Sequence, residues 1–296
     1  MEEYSKTEMG ITAVIFGLLP TMQQIFGPTV AEVSILASRR PLLSLLLGIA
    51  MPSVSTGGPL ANPAESLRRA SDFRICSLIP PKARWLWLLI SAAEYLIGAA
   101  AAANVLYQIY QLAYWTISVS AIAVDSGPLS ETYTLFLWLI LLAPLHILGF
   151  WRFKVRYRVS KEAGDHEKLT ERKSWLQVIK SEFVPCALGN PMFLTKVDKG
   201  PLSIAVQWLA DIAVTVVFIF STVAMSGQIF IGMGDAVPVI ARFLMGTLVS
   251  RLILLFELHG LREVTSQSQN KDVVHGGYES VCGPDGKCVP TEPGLC

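Results

Sequence analysis

The sequence predicts an all-α protein, a polytopic transmembrane helical bundle of about five crossings (four to six). Three observations carry this. The 296 residues are 52% hydrophobic and 16% charged, with a mean hydropathy of +0.48, which exceeds the apolar share of a soluble domain and undercuts its charge. Apolar runs close to the ~20 residues needed to cross a ~30 Å hydrocarbon core recur along the chain. Lysine and arginine gather in the segments between those runs.

The first run, Gly10–Gly27, is a marginal spanning helix weakened by Pro20, Gln23 and Gln24. It has no basic segment before it and no small-residue cleavage site after it, so a removable leader is a poor reading. Arg39 and Arg40 precede Pro41–Pro52, an apolar stretch fenced by prolines and too short to span; it reads as a re-entrant or interfacial segment. Ser53–Arg84 carries turn residues and then Arg68, Arg69, Arg74 and Lys82, the signature of a solvent-side loop.

From Trp85 to Ile122 there is no proline, lysine or arginine. One helix of that length would reach roughly 57 Å, so the reading is a crossing over 85–106 continued to Trp115 at the far interface, where Tyr and Trp settle. The remaining runs are Thr132–Phe150, Leu202–Ser226 and Gly234–Leu258, the last two joined by the short uncharged Gly227–Met233 into an antiparallel hairpin. Residues 1–262 form the membrane domain, including the basic loop 151–201, and residues 263–296 form a disordered tail. Because positive charge accumulates on the cytoplasmic side, the 151–201 and 53–84 loops and the tail lie inside and the N-terminus outside. A crossing by residues 29–52 would make the count six and move the N-terminus inside.

Composition also excludes classes. A net charge of +1 and no basic stripe interleaved with aromatics argue against a nucleic-acid partner. The spacing of Cys76, Cys186, Cys282, Cys288 and Cys296 fits neither a zinc site nor a redox pair, so reduced thiols are expected, with no metal and no cofactor. Phosphate-binding, dinucleotide, nucleophile-elbow and zinc-protease motifs are absent.

What remains is polarity inside the apolar runs, where a central charge costs roughly 2.5–3.5 kcal/mol by insertion scales. Glu94, Asp211 and Arg251 each lie several residues in from the basic end of their helix, at a common depth of roughly 10–14 Å. Glu94, Asn104, Gln108 and Gln111 fall on one face, which should turn into the bundle, and Gly98 with Ala99–Ala103 should admit a close neighbour. Folding the hairpin back on itself sets Asp211 opposite Arg251 as an expected ion pair. Arg242 faces away from Arg251 and has no evident partner beyond the polar face of the Glu94 helix. Asp235 at the outer interface and Glu257 near the inner one should reach water. His146 reads as an interfacial structural histidine, and the basic 151–180 stretch as a flank containing an interfacial amphipathic helix.

Residues 39–55 (RRPLLSLLLGIAMPSVS) and 231–262 (IGMGDAVPVIARFLMGTLVSRLILLFELHGLR) resemble a family of uncharacterised multi-pass membrane proteins of filamentous fungi. The resemblance spans residues 10–262 and implies no activity. Two functions are therefore carried forward. The first is a non-enzymatic bundle whose interior cluster of Glu94, Asn104, Gln108, Asp211, Arg242 and Arg251 serves transport, sensing or scaffolding, with lipid as solvent and a homo-oligomer supplying further helices. The second is a membrane-embedded enzyme for a lipid or isoprenoid, with Glu94 and Asp211 as acid and base.

Overall fold

The computed structural model describes residues 3–52, 84–118, 133–160, 182–188, 193–196, 200–228, 231–276, 281–282 and 288–289. Seven α-helices run through them: α1 Glu3–Phe26, α2 Val30–Arg39, α3 Pro41–Ala50, α4 Arg84–Ser118, α5 Tyr133–Arg156, α6 Pro201–Ser226 and α7 Met233–Gly276. Five are long and apolar enough to cross a membrane, over Thr7–Phe26, Trp85–Tyr114, Leu135–Val155, Ser203–Ser226 and Met233–Thr265. The protein is an all-α bundle of about five crossings, as composition and run length dictate.

Large apolar side chains point outward from these helices. Leu96, Ile147, Trp208 and Leu252 are each about two-thirds exposed or more, an arrangement water would penalise and lipid would not. The interior core joins Phe16 and Leu19 of α1 to Val105 and Ile109 of α4, Trp138 of α5, Val214 of α6 and Phe243 of α7. Helices α4 and α7 run antiparallel, since Glu94 and Glu257 share a neighbour at one end while Asn104 Nδ2 donates to the Arg242 carbonyl (3.1 Å) further along.

Helices α2 and α3 are the unusual part. Thr29 opens α2 with a capping box: its hydroxyl accepts from the Glu32 N–H (3.3 Å) while its own N–H donates to Glu32 Oε2 (2.9 Å). The helix stops at Arg39 because Pro41 disfavours helical geometry at the residue before it, and Pro41 then opens α3 at N1. Along α7, Glu32 meets Arg251 and Arg40 meets Glu257, so α2 runs toward the end of the bundle that holds the basic segments. Along α4, Arg40 meets Ser91 and Glu94, Leu43 and Leu47 pack at Gly98, and Ala50 packs with Ala101 and Ala102. Helix α3 therefore turns back alongside α4, and its 10 residues rise roughly 15 Å, half of a ~30 Å core. Arg40 is the vertex of this helical hairpin, which has the geometry of a re-entrant segment.

Three expectations change. Helix α7 does not end near Leu258 but continues to Gly276, because Gly260 breaks nothing: its bare face receives Ala187 of the neighbouring segment. Residues 157–160 form a strand paired antiparallel with 193–196 rather than part of an amphipathic helix, and 161–181 lie outside the described residues. Val281–Cys282 pairs with Cys288–Val289 within the region expected to be disordered. The 53–83 loop, with Cys76, also falls outside the described residues.

Candidate functional site

Arg40, at the hairpin vertex, is fully buried and reaches both α4 and α7. Its Nη1 donates to Glu94 Oε2 at 2.6 Å and lies 2.7 Å from Glu257 Oε1. Nη2 donates to Ser91 Oγ (2.6 Å), Nε donates to the Glu182 carbonyl (2.9 Å), and the guanidinium sits over the Tyr95 ring at 5.1 Å. Burial works against the charge on Arg40, but Glu257 and Glu94 outweigh it and hold the guanidinium firmly protonated.

The segment 182–188 closes this cluster from the basic end. The carboxylate of Glu182 accepts from the N–H groups of Leu42 (2.7 Å) and Leu43 (3.2 Å) and from the Tyr95 hydroxyl (2.9 Å). It thereby caps the start of α3, which has no side-chain cap of its own, with charge of the sign its dipole prefers. The Cys186 N–H donates to Glu257 Oε2 (3.0 Å). Burial, and next Glu257, push the Cys186 thiol well above its ordinary value, so it is an inert buried thiol.

Glu94 and Glu257, both 5% exposed or less, converge on the Arg40 guanidinium, the neighbouring Arg39 also acts on Glu257, and Glu94 Oε1 has no hydrogen-bond partner among the described residues. Two carboxylates from two spanning helices thus meet one buried guanidinium in a medium where an unpaired charge is costly.

Further from the basic end, polar side chains continue along the interior. Among the described residues Gln108 is fully buried on α4 with neither amide atom bonded, Gln23 of α1 is in the same condition, and Ser250 Oγ of α7 and Trp138 Nε1 of α5 are buried without partners. From Glu94 to Gln108 is 14 residues along α4, roughly 21 Å of a ~30 Å core.

The sequence-predicted residues divide. Glu94 and Gln108 are interior, and Asn104 is half-buried against α7. The expected Asp211–Arg251 pair does not form. Arg251 binds Glu32 instead (2.6 and 3.1 Å), and Asp211 binds Arg152 of α5 (3.2 Å) with its side chain 44% exposed at a shallow outer cleft beside Trp208 and Thr215. The hairpin argument aligned only α6 with α7, whereas α2 occupies the space next to Arg251. Arg242 is exposed and takes part through its carbonyl alone, so it is not a cluster member. Glu257, expected to reach water, is 1% exposed on Arg40. His146 is packed between helices, its ring filling the space a Cβ on Gly48 would need (2.9 Å to Nε2). Asp235 is exposed, at the start of α7.

Glu94 and Asp211 therefore lie in separate places, one dry and one open, and do not assemble as an acid–base pair. Sequence reasoning missed Arg40, Glu32, Glu182 and Arg152. The only hint was an Arg-Arg pair set directly before an apolar run, read there as a loop charge. No group of three or more His, Cys, Asp or Glu among the described residues could hold a metal. Comparison with known proteins adds no name: no family description, no curated protein and no solved structure matches the chain.

Proposed function

We propose that the protein is a non-catalytic integral membrane protein that passes protons across the bilayer, alone or with a small solute, by way of an acid site in which Glu94 and Glu257 share Arg40. The observation that carries the reading is the convergence of two carboxylates from two spanning helices on one buried guanidinium. Ionisable groups inside membrane helices mark ion and proton relays because their cost must be repaid by use. The unbonded amides of Gln108 and Gln23 and the hydroxyl of Ser250 support it, because an unsatisfied polar group in hydrocarbon costs several kcal/mol. Water at those positions would satisfy them and extend a proton-conducting string above the acids. By the positive-inside rule the acid site lies at the cytoplasmic end of the bundle, behind the 182–188 segment, on the side where the 151–201 segment and the C-terminus would lie.

A sensor or scaffold is the second reading, favoured by the number of bonds that tie residues 182–188 to Arg40, α3 and Glu257. Proteoliposomes with a trapped pH dye and an imposed potassium potential separate the two. Wild-type vesicles should acidify faster than protein-free ones, and Glu94→Gln, eluting as a folded protein, should return the rate to the protein-free value. Equal rates for wild-type and empty vesicles would overturn the proton-carrier reading and leave the sensor.

A further inference from the structure

Because α3 stops halfway along α4, the outer side of the hairpin is not filled by helix, and a cavity of about 420 Å³ remains between α2, α3 and α5. Val33 and Ala37 of α2, Leu45 and Gly48 of α3, and Ala143 and Phe150 of α5 line it. Its wall is mostly apolar; Ser34 and Ser44 bond their hydroxyls to backbone carbonyls of α2, and among the described residues the one further polar side chain in the lining, His146, is packed at Gly48. The rim faces outward, with Leu45 56%, Ile140 64% and Ile147 68% exposed. In water such a cavity would be a docking groove, whereas on a spanning bundle its mouth opens onto hydrocarbon.

The stripe of α5 that lines the groove is spaced at helical periodicity: Leu139, Ala143, Ile147 and Phe150. One further turn toward the basic end, the same stripe carries Lys154, which is exposed. From Leu139 to Phe150 the groove runs roughly 16 Å along the helix axis, with a cationic ammonium just past one end. A mostly apolar slot of this length with an exposed ammonium just past its end at the headgroup level matches the chemistry of an acyl chain attached to a phosphate.

We propose that the α2–α3–α5 groove is a lipid site that takes one acyl chain of an anionic phospholipid, with its phosphate against Lys154. The site is separate from Arg40 and does not depend on proton passage. An empty apolar void of this size would forfeit contacts along its whole lining, and the half-length helix α3 makes that void unavoidable without a guest. The chain thus completes the packing that a full-length helix would have supplied.

The test uses the full chain in nanodiscs doped with phosphatidylglycerol or phosphatidylcholine bearing a photoactivatable diazirine on one acyl chain, with the cross-linked peptides mapped by mass spectrometry. Phosphatidylglycerol label should concentrate on residues 30–50 and 139–150. Leu45→Trp on the rim and Ala143→Trp in the wall should each lower it about tenfold, since excluding two methylenes suffices for that. Lys154→Ala should lower the phosphatidylglycerol label toward the phosphatidylcholine level without changing the melting temperature. Label spread evenly over the groove and the Trp208–Val216 face of α6, or equal for the two headgroups, or unmoved by both tryptophan variants, would overturn the proposal. Leu45 is exposed, so its variant keeps the test informative even where Ala143→Trp fails to fold.

Discussion

At the scale of single residues, each interior charge is explained by a partner far away in sequence. Glu32 and Arg251 are 219 positions apart and meet through a fork of two bonds at 2.6 and 3.1 Å, the geometry in which arginine binds carboxylate most firmly. Removing one member leaves the other at membrane depth with no counter-charge, at a cost of about 2 kcal/mol for a partly buried pair. Melting in detergent should therefore fall for Glu32→Leu and for Arg251→Leu, and the double variant should recover much of the loss. Asp211→Asn combined with Arg251→Leu should instead be additive, because the two sites share no partner. Coupling between Asp211 and Arg251, or none between Glu32 and Arg251, would contradict the pairing.

At the scale of elements, the bundle depends on a few places where helices meet without side chains between them. A Cβ on Gly149 would sit 2.5 Å from Val30 Cγ1, and one on Gly48 would sit 2.9 Å from His146 Nε2. A Cβ on Gly98 would find Leu47 and Leu43 at 3.7 and 3.8 Å, which is ordinary contact. Gly149→Ala and Gly48→Ala should thus lose about 1–3 kcal/mol of stability by overpacking, whereas Gly98→Ala should change little or gain from a better helix former. Thermal melting of the three variants side by side checks the order, and an equal loss at all three would contradict the hairpin placement.

The long helices were legible in the sequence because a bilayer demands ~20 apolar residues and the chain contains such runs at 85–106, 132–150, 202–226 and 234–258. The proline-fenced 41–52 run was legible as a segment that fails to span. Periodicity also turned Glu94 and Gln108 inward correctly, since one helix carries both on one face. Arg40 was not legible, because its role is set by which helices surround it. Arg-Arg before an apolar run looks the same whether it faces solvent or, as here, the gap between two other helices. Periodicity orders a single helix and says nothing about its neighbour, which is why Asp211 and Arg251 were paired with each other and not with Arg152 and Glu32.

At the scale of the whole molecule, the parts form one sequence of cause and effect. A helix interrupted by Pro41 drives Arg40 into the bundle, Arg40 gathers one acid from α4 and one from α7, and Glu182 seals the cluster while capping α3. The α4–α7 interface leads away from this cluster through Asn104, with Ser250 and Gln108 beside it. The half-length α3 leaves on its other side the groove assigned to an acyl chain. The acid cluster and the lipid groove are consequences of the same short hairpin, one at its vertex and one along its outer side.

The central claim is that Glu94 and Glu257 both hold the buried Arg40 guanidinium, and a set of three variants measured by thermal melting in one detergent tests it most directly. Glu94→Gln and Glu257→Gln should each stay folded with a melting temperature near that of the wild type, since the remaining acid still pairs with the buried guanidinium. The double variant should lose about 3–5 kcal/mol, the cost of an unpaired buried charge. A single variant that loses as much as the double one, or a double variant that melts like the wild type, would contradict the claim.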